Sequence, residues 1–116
     1  MKLDCRSGPA RLGLLVVFAL CLSGRAIAVD EEAAKTLARQ NNCFRCHSVE
    51  KAKDGPAWKD VAAKYKGKAD AQARLYTHLT TGEKAKFADG HEEEHKIIKS
   101  PDPAKTKNLI DWILSL

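Results

Sequence analysis

A chain of 116 residues has room for one small domain, and its 20 Lys and Arg against 15 Asp and Glu, a formal +5, first suggest an acidic partner. The excess is local: Lys2, Arg6, Arg11 and Arg25 lie with Asp4 in the first 28 residues, and beyond them 16 basic and 14 acidic side chains leave only +2. The charge therefore gives no case for nucleic-acid binding.

Lys2, Arg6 and Arg11 precede an apolar run from Leu12 to Leu22 (LGLLVVFALCL) that is short for a bilayer span, and Ala26-Ile27-Ala28 has the small-x-small form of a cleavage site. Residues 1–28 are expected to be a Sec-type signal peptide, cleaved after Ala28, with the mature domain at 29–116 in the periplasm and no stable membrane insertion. An uncleaved anchor is the competing reading. Cys21 follows the bulky Leu20, which argues against a lipoprotein. Cleavage removes Cys5 and Cys21, so Cys43 and Cys46 are the remaining thiols and no structural disulfide has a spare partner. A domain this small buries a limited share of its chain and is marginal without a staple.

The mature chain reads as all-α, four to five short helices with no alternating β pattern. Asp30, Glu31 and Glu32 favour a helix N-terminus, AAKTLAR continues it, and Asn41-Asn42 suits a left-handed end. Residues 48–57 form a charged loop, WKDVAAKY from Trp58 to Tyr65 a short helix ended before Gly67, and Asp70 an N-cap for a third helix over 71–80 with Ala73, Leu75, Tyr76 and Leu79 on its apolar face. Residues 83–100 are charged and irregular, with a helical turn or two expected around His91 to Ile98. Asp102-Pro103 is an N-cap and N1 pair opening a last helix to Leu116, whose Leu109, Ile110, Trp112, Ile113 and Leu116 should pack on the first.

Between the first two helices stands Cys43-Phe44-Arg45-Cys46-His47. C-x-x-C-H is the pattern that attaches one c-type haem, the thiols forming thioethers and the histidine the proximal iron ligand. A redox dithiol or half a zinc site are the other readings of C-x-x-C, and the adjacent histidine and the lack of a second ligand pair weigh against both.

Taken with Gly55-Pro56-Ala57-Trp58-Lys59-Asp60-Val61-Ala62 and a closing amphipathic helix containing Trp112, the motif resembles the small class I c-type cytochromes of bacterial periplasms over nearly all of the mature chain. The resemblance implies the small cytochrome c fold around one covalent haem c, with Cys43 and Cys46 as thioether residues and His47 as proximal ligand. It implies that the Pro56 carbonyl holds the imidazole Nδ1 proton and that Trp58 lines the haem pocket near a propionate. Trp112 would lie at the contact of the terminal helices, where Ala38 replaces the aromatic partner of many members, so that contact should be packed differently.

The family's distal ligand is a methionine before the last helix, and this chain has no methionine except Met1. In its place FADGHEEEHKIIK offers His95 and His91. His95 is favoured as sixth ligand because Ile97 and Ile98 follow it and can be buried beside the haem, with His91 as the alternative. His78 is a third candidate, better suited to a partly exposed helical position. A solvated loop that leaves the iron open is the remaining possibility. His91 to His95 also matches H-E-x-x-H, a zinc pattern when it lies on a helix; the charged flanks argue against it.

These residues point to a one-electron carrier and not an enzyme, since a six-coordinate haem has no free substrate position and no distal acid and base stand out. Imidazole for methionine implies a lower potential. The alternatives are a ligand-binding or sensing haem protein with a labile sixth position, or an electron-accepting subunit of a periplasmic oxidoreductase. The expected partners are periplasmic redox proteins, met as a monomer through Lys51, Lys53, Lys59, Lys64, Lys66 and Lys68.

Overall fold

The computed structural model describes residues 28–116; the signal-peptide expectation for 1–28 lies almost wholly outside the described residues. Four helices frame the domain: α1 (Glu31–Gln40), α2 (Trp58–Tyr65), α3 (Ala71–Thr81) and α4 (Pro103–Leu114), with a 3-10 turn at Cys43–Arg45 after α1. The mostly helical architecture is the expected one.

Local chemistry sets most of the boundaries. The Asp30 carboxylate caps α1 by accepting from the Ala33 N–H at 2.9 Å, and Asn42, in the left-handed region at φ 57°, separates α1 from the 3-10 turn. Gly82, φ 69°, stops α3. Asp102 caps α4 through the Ala104 N–H at 2.9 Å, with Pro103 at the first helical position, where its missing N–H costs nothing. Asp70 precedes α3 as expected, but its side chain makes no capping bond.

The segment after α3 corrects the sequence reading. Lys84–Lys86 (β1) and Glu92–Glu94 (β2) pair antiparallel, Lys84 opposite Glu94 and Lys86 opposite Glu92, so the expected helical turn at 91–98 is absent and its first half is a strand. Asp89-Gly90 makes the turn, with Gly90 at φ 92° and its N–H bonded to the Phe87 carbonyl. Opposite charges facing across the pair favour this register.

The core forms where α1 and α4 pack together, joined by Trp58 and Ile98. Ala34 and Ala38, both fully buried, lie with Leu37 against Leu109, Trp112 and Ile113, the small residues allowing the helices a close approach. A reciprocal pair ties their ends: the Asp30 N–H donates to Asn108 Oδ1 at 2.9 Å, and Asn108 Nδ2 donates to the Asp30 carbonyl at 2.8 Å. The aromatic partner of Trp112 comes from α2, not α1. Trp58 meets it edge-on with centroids 5.3 Å apart, a different packing from an aromatic at position 38.

Candidate functional site

The 3-10 turn carries both thiols on one short loop. The N–H groups of Cys46 and His47 both bond to the Cys43 carbonyl, at 3.1 and 2.9 Å, which winds the chain so tightly that Cys43, Cys46 and His47 are presented together. Both cysteines are half-buried and free, and burial pushes the Cys43 thiol up.

Residues 48–57 then fold back across His47. The Gly55 N–H bonds to the Cys46 carbonyl at 2.8 Å, and the Trp58 N–H to that of Ser48 at 2.9 Å. The loop so held places the Pro56 carbonyl 2.8 Å from His47 Nδ1. A carbonyl only accepts, so Nδ1 carries the proton and Nε2 keeps its lone pair free, the tautomer a metal-binding imidazole needs. Gly55 is packed so closely on this ring that an added Cβ would overlap Cε1 and stand 2.9 Å from each ring nitrogen. Trp58 lies on another side, nearly parallel to the imidazole at 5.8 Å, and is itself in the core.

Across from this ring stands His95, its centroid 6.1 Å from that of His47. Two imidazoles bound on opposite sides of one metal, each about 2 Å from it, have centroids about 6 Å apart. His95 is half-buried, and its Nδ1 is buried with no hydrogen-bond partner. An orphaned polar atom of this kind costs about 1–3 kcal/mol, so Nδ1 is in want of a partner. Burial lowers the pKa of His95, as do the neighbouring His78 and His47, favouring the neutral, ligating form.

The hairpin fixes where His95 sits. Its N–H donates to the Glu83 carbonyl at 2.9 Å, and three residues on the Ile98 N–H donates to the Leu79 carbonyl at 2.8 Å. The Lys99 N–H then reaches Asn41 Oδ1 at 3.0 Å, beside the C-x-x-C-H turn. Of the two isoleucines expected to be buried, Ile98 joins the core and Ile97 is 45 % exposed.

His91 is elsewhere. It stacks on Phe87 at the exposed hairpin tip, centroids 4.3 Å apart, bonded through Nδ1 to Asp89 and with Nε2 3.4 Å from Glu93. Because β2 is extended, His91 and His95 are about 13 Å apart along the strand instead of one helical turn, which disposes of the zinc motif. Among the described residues no group of three or more His, Cys, Asp and Glu side chains is arranged to hold a bare metal ion.

One contact was not anticipated. His78 of α3 packs on His95 with centroids 4.3 Å apart, and its Nδ1 is 3.3 Å from Glu83 Oε2. Glu83 is in turn held by Arg74 Nη1 at 2.7 and 2.9 Å, and that contact lowers its pKa. The i, i+4 and i, i+5 spacings of Arg74, His78 and Glu83 were the available signal.

The Cytochrome c family model matches residues 31–116. Cytochrome c-551 of Allochromatium vinosum is 36 % identical over 97 residues, 84 % of this chain and all of that one. Cytochrome c-552 of Nitrosomonas europaea is 36 % identical over 107 residues, 92 % of this chain and 96 % of the relative. Among solved structures, the class 1 cytochrome MtoD from Sideroxydans lithotrophicus ES-1 superposes with a TM-score of 0.74 at 67 % identity, covering 76 % of this chain and 97 % of that one.

Proposed function

This chain belongs to the cytochrome c family, and from that premise we propose that it is a periplasmic one-electron carrier whose haem iron is held between His47 and His95 at a relatively low potential. Membership brings a covalently attached c-type haem and electron transport. Cys43 and Cys46 are the residues that would hold the porphyrin through thioethers, and His47 the proximal ligand. When bound, the group supplies reversible one-electron exchange at iron.

What the chain itself does is orient and enclose. The Pro56 carbonyl accepts from His47 Nδ1, which fixes the ring and raises its basicity. The hairpin base holds His95 opposite. The observation that carries the bis-histidine reading is the half-buried His95 ring with its centroid 6.1 Å from that of His47, in a domain without a methionine. Axial ligands move haem potentials over about 0.8 V, and methionine raises them, so imidazole in its place favours a low-potential donor or acceptor.

Export follows from the N-terminal pattern, and no helix among the described residues is long and apolar enough to cross a membrane. The exposed lysines from Lys51 to Lys68 suit transient docking to an acidic redox partner, weakened by salt.

Visible and electron paramagnetic resonance spectra of His95→Ala and His91→Ala test the ligand assignment. His91→Ala should keep the wild-type low-spin ferric spectrum and His95→Ala should become high-spin. The reverse pattern, or a high-spin wild type at neutral pH, refutes it.

A further inference from the structure

The distal side holds more machinery than one ligand. Glu83 touches His95 directly and reaches it again through His78: its backbone carbonyl accepts the His95 N–H at 2.9 Å, and its carboxylate lies 3.3 Å from Nδ1 of His78, the ring that packs on His95. Arg74 grips that carboxylate with two contacts, at 2.7 and 2.9 Å. Arg74 and His78 come from α3 and Glu83 and His95 from the hairpin base, so the arrangement is a junction of the two.

The proton positions follow from the partners. The Glu83 carboxylate, ionised beside Arg74, accepts and cannot donate. In its neutral form His78 therefore carries its proton on Nδ1 and presents a lone pair on Nε2. His95 has the complementary lack: its buried Nδ1 has no partner. If iron takes Nε2 of His95, then Nδ1 must carry a proton and needs an acceptor, because a ligating imidazole is oriented and made more basic through its outer nitrogen. His78 Nε2 is the unengaged acceptor on the ring packed against it.

We propose that His78 is the positioning residue for the sixth ligand: its ring packs on His95, and with iron on His95 Nε2 it would accept the Nδ1 proton that otherwise has no partner, completing a chain from His95 through His78 and Glu83 to Arg74. The inference rests on the bis-histidine reading. It assigns the distal side an outer partner matching the Pro56 carbonyl on the proximal side, so that both imidazoles are oriented from behind. It also gives the α3 histidine a role toward the iron without making it a ligand.

The test uses the haem-loaded protein. His78→Phe keeps a ring against His95 but has no acceptor, whereas His78→Gln restores an acceptor oxygen. In His78→Phe, cyanide should bind ferric haem at least tenfold faster than in wild type, the largest electron paramagnetic resonance g-value should change and the potential should rise. His78→Gln should return all three most of the way. Unchanged cyanide kinetics and g-values in His78→Phe overturn the proposal, as does equal acceleration in both variants, which would mean packing alone.

Nuclear magnetic resonance of the reduced wild-type protein with 15N-labelled histidine needs no variant. A slowly exchanging His95 Nδ1 proton with coupling across to His78 Nε2 is expected; a freely exchanging one overturns the proposal. A low-spin wild type that becomes high-spin in His95→Ala, together with flat His78 results, sinks this inference alone. A high-spin wild type sinks the ligand assignment and takes this inference with it.

Discussion

Substituting alanine for Gly55 should damage the site more than its size suggests. The new Cβ would overlap His47 Cε1 and lie 2.9 Å from both ring nitrogens, and the obstacle is a ring confined by the Pro56 carbonyl on one side and Trp58 on another. Forcing a methyl into filled space costs about 1–3 kcal/mol. The His47 to Pro56 hydrogen bond, broken as the ring yields, contributes about 0.5–1.5 kcal/mol. Restricting the unfolded chain gives back about 0.4–1 kcal/mol, so the net loss is about 0.5–4 kcal/mol. For a domain of this size that lowers Tm on the order of 10 °C. Thermal unfolding of the oxidised protein, followed by far-ultraviolet circular dichroism and by the Soret band, measures it. Gly67→Ala is the control: its φ is +74° with nothing within 4 Å, so it should cost about 1–2 kcal/mol and leave the Soret band untouched. A Gly55→Ala protein with wild-type Tm and Soret band would refute the close packing on which the argument depends.

Two further outcomes follow from the same structure. Cys43→Ser/Cys46→Ser, which cannot hold haem covalently, should lose most of its helical circular dichroism; native-like helicity would contradict the idea that the cofactor completes the core. The Asp89 hydrogen bond raises the pKa of His91, so protonated His91 favours the folded hairpin tip. That contribution is complete below the ordinary value of about 6.5 and is lost as pH rises through the raised folded value. In a nuclear magnetic resonance titration, Asp89→Asn should move the His91 midpoint down toward 6.5, and an unmoved midpoint would refute the pairing.

The parts of the site legible in sequence are those made by neighbours in the chain. C-x-x-C-H, the left-handed Asn42 and the Gly55-Pro56 return loop all act within about ten residues of His47, so local spacing describes them. The hairpin was not legible. Its strands are three residues each, too short for an alternating pattern to register, and three glutamates look like a solvated charge run. Asp89-Gly90 was the signal for its turn, but two short strands acquire value only when His95 bonds to Glu83 and Ile98 to Leu79. The role of His78 was hidden for the same reason. Helical spacing places it near Leu75 and Leu79, and only the packing of α3 under the hairpin brings it to His95.

The inventory of the core explains why the site and the fold are one problem. Among the described residues thirteen hydrophobic ones are buried and five of these are alanines, and eight larger side chains are a thin core for a domain of this size. Cys43, Phe44, Val49, Val61 and Leu79 are only partly buried against it, an apolar rim that a porphyrin would cover. His95 meanwhile is anchored on both flanks, to Glu83 before it and through Ile98 to Leu79 after it. A sensor needs a distal ligand that leaves readily; a carrier needs the same two ligands in both oxidation states, so that little has to move when an electron arrives. With His95 as the proposed sixth ligand, backbone anchoring on either side of it suits the second requirement, and it weighs for the carrier over the ligand-releasing alternative.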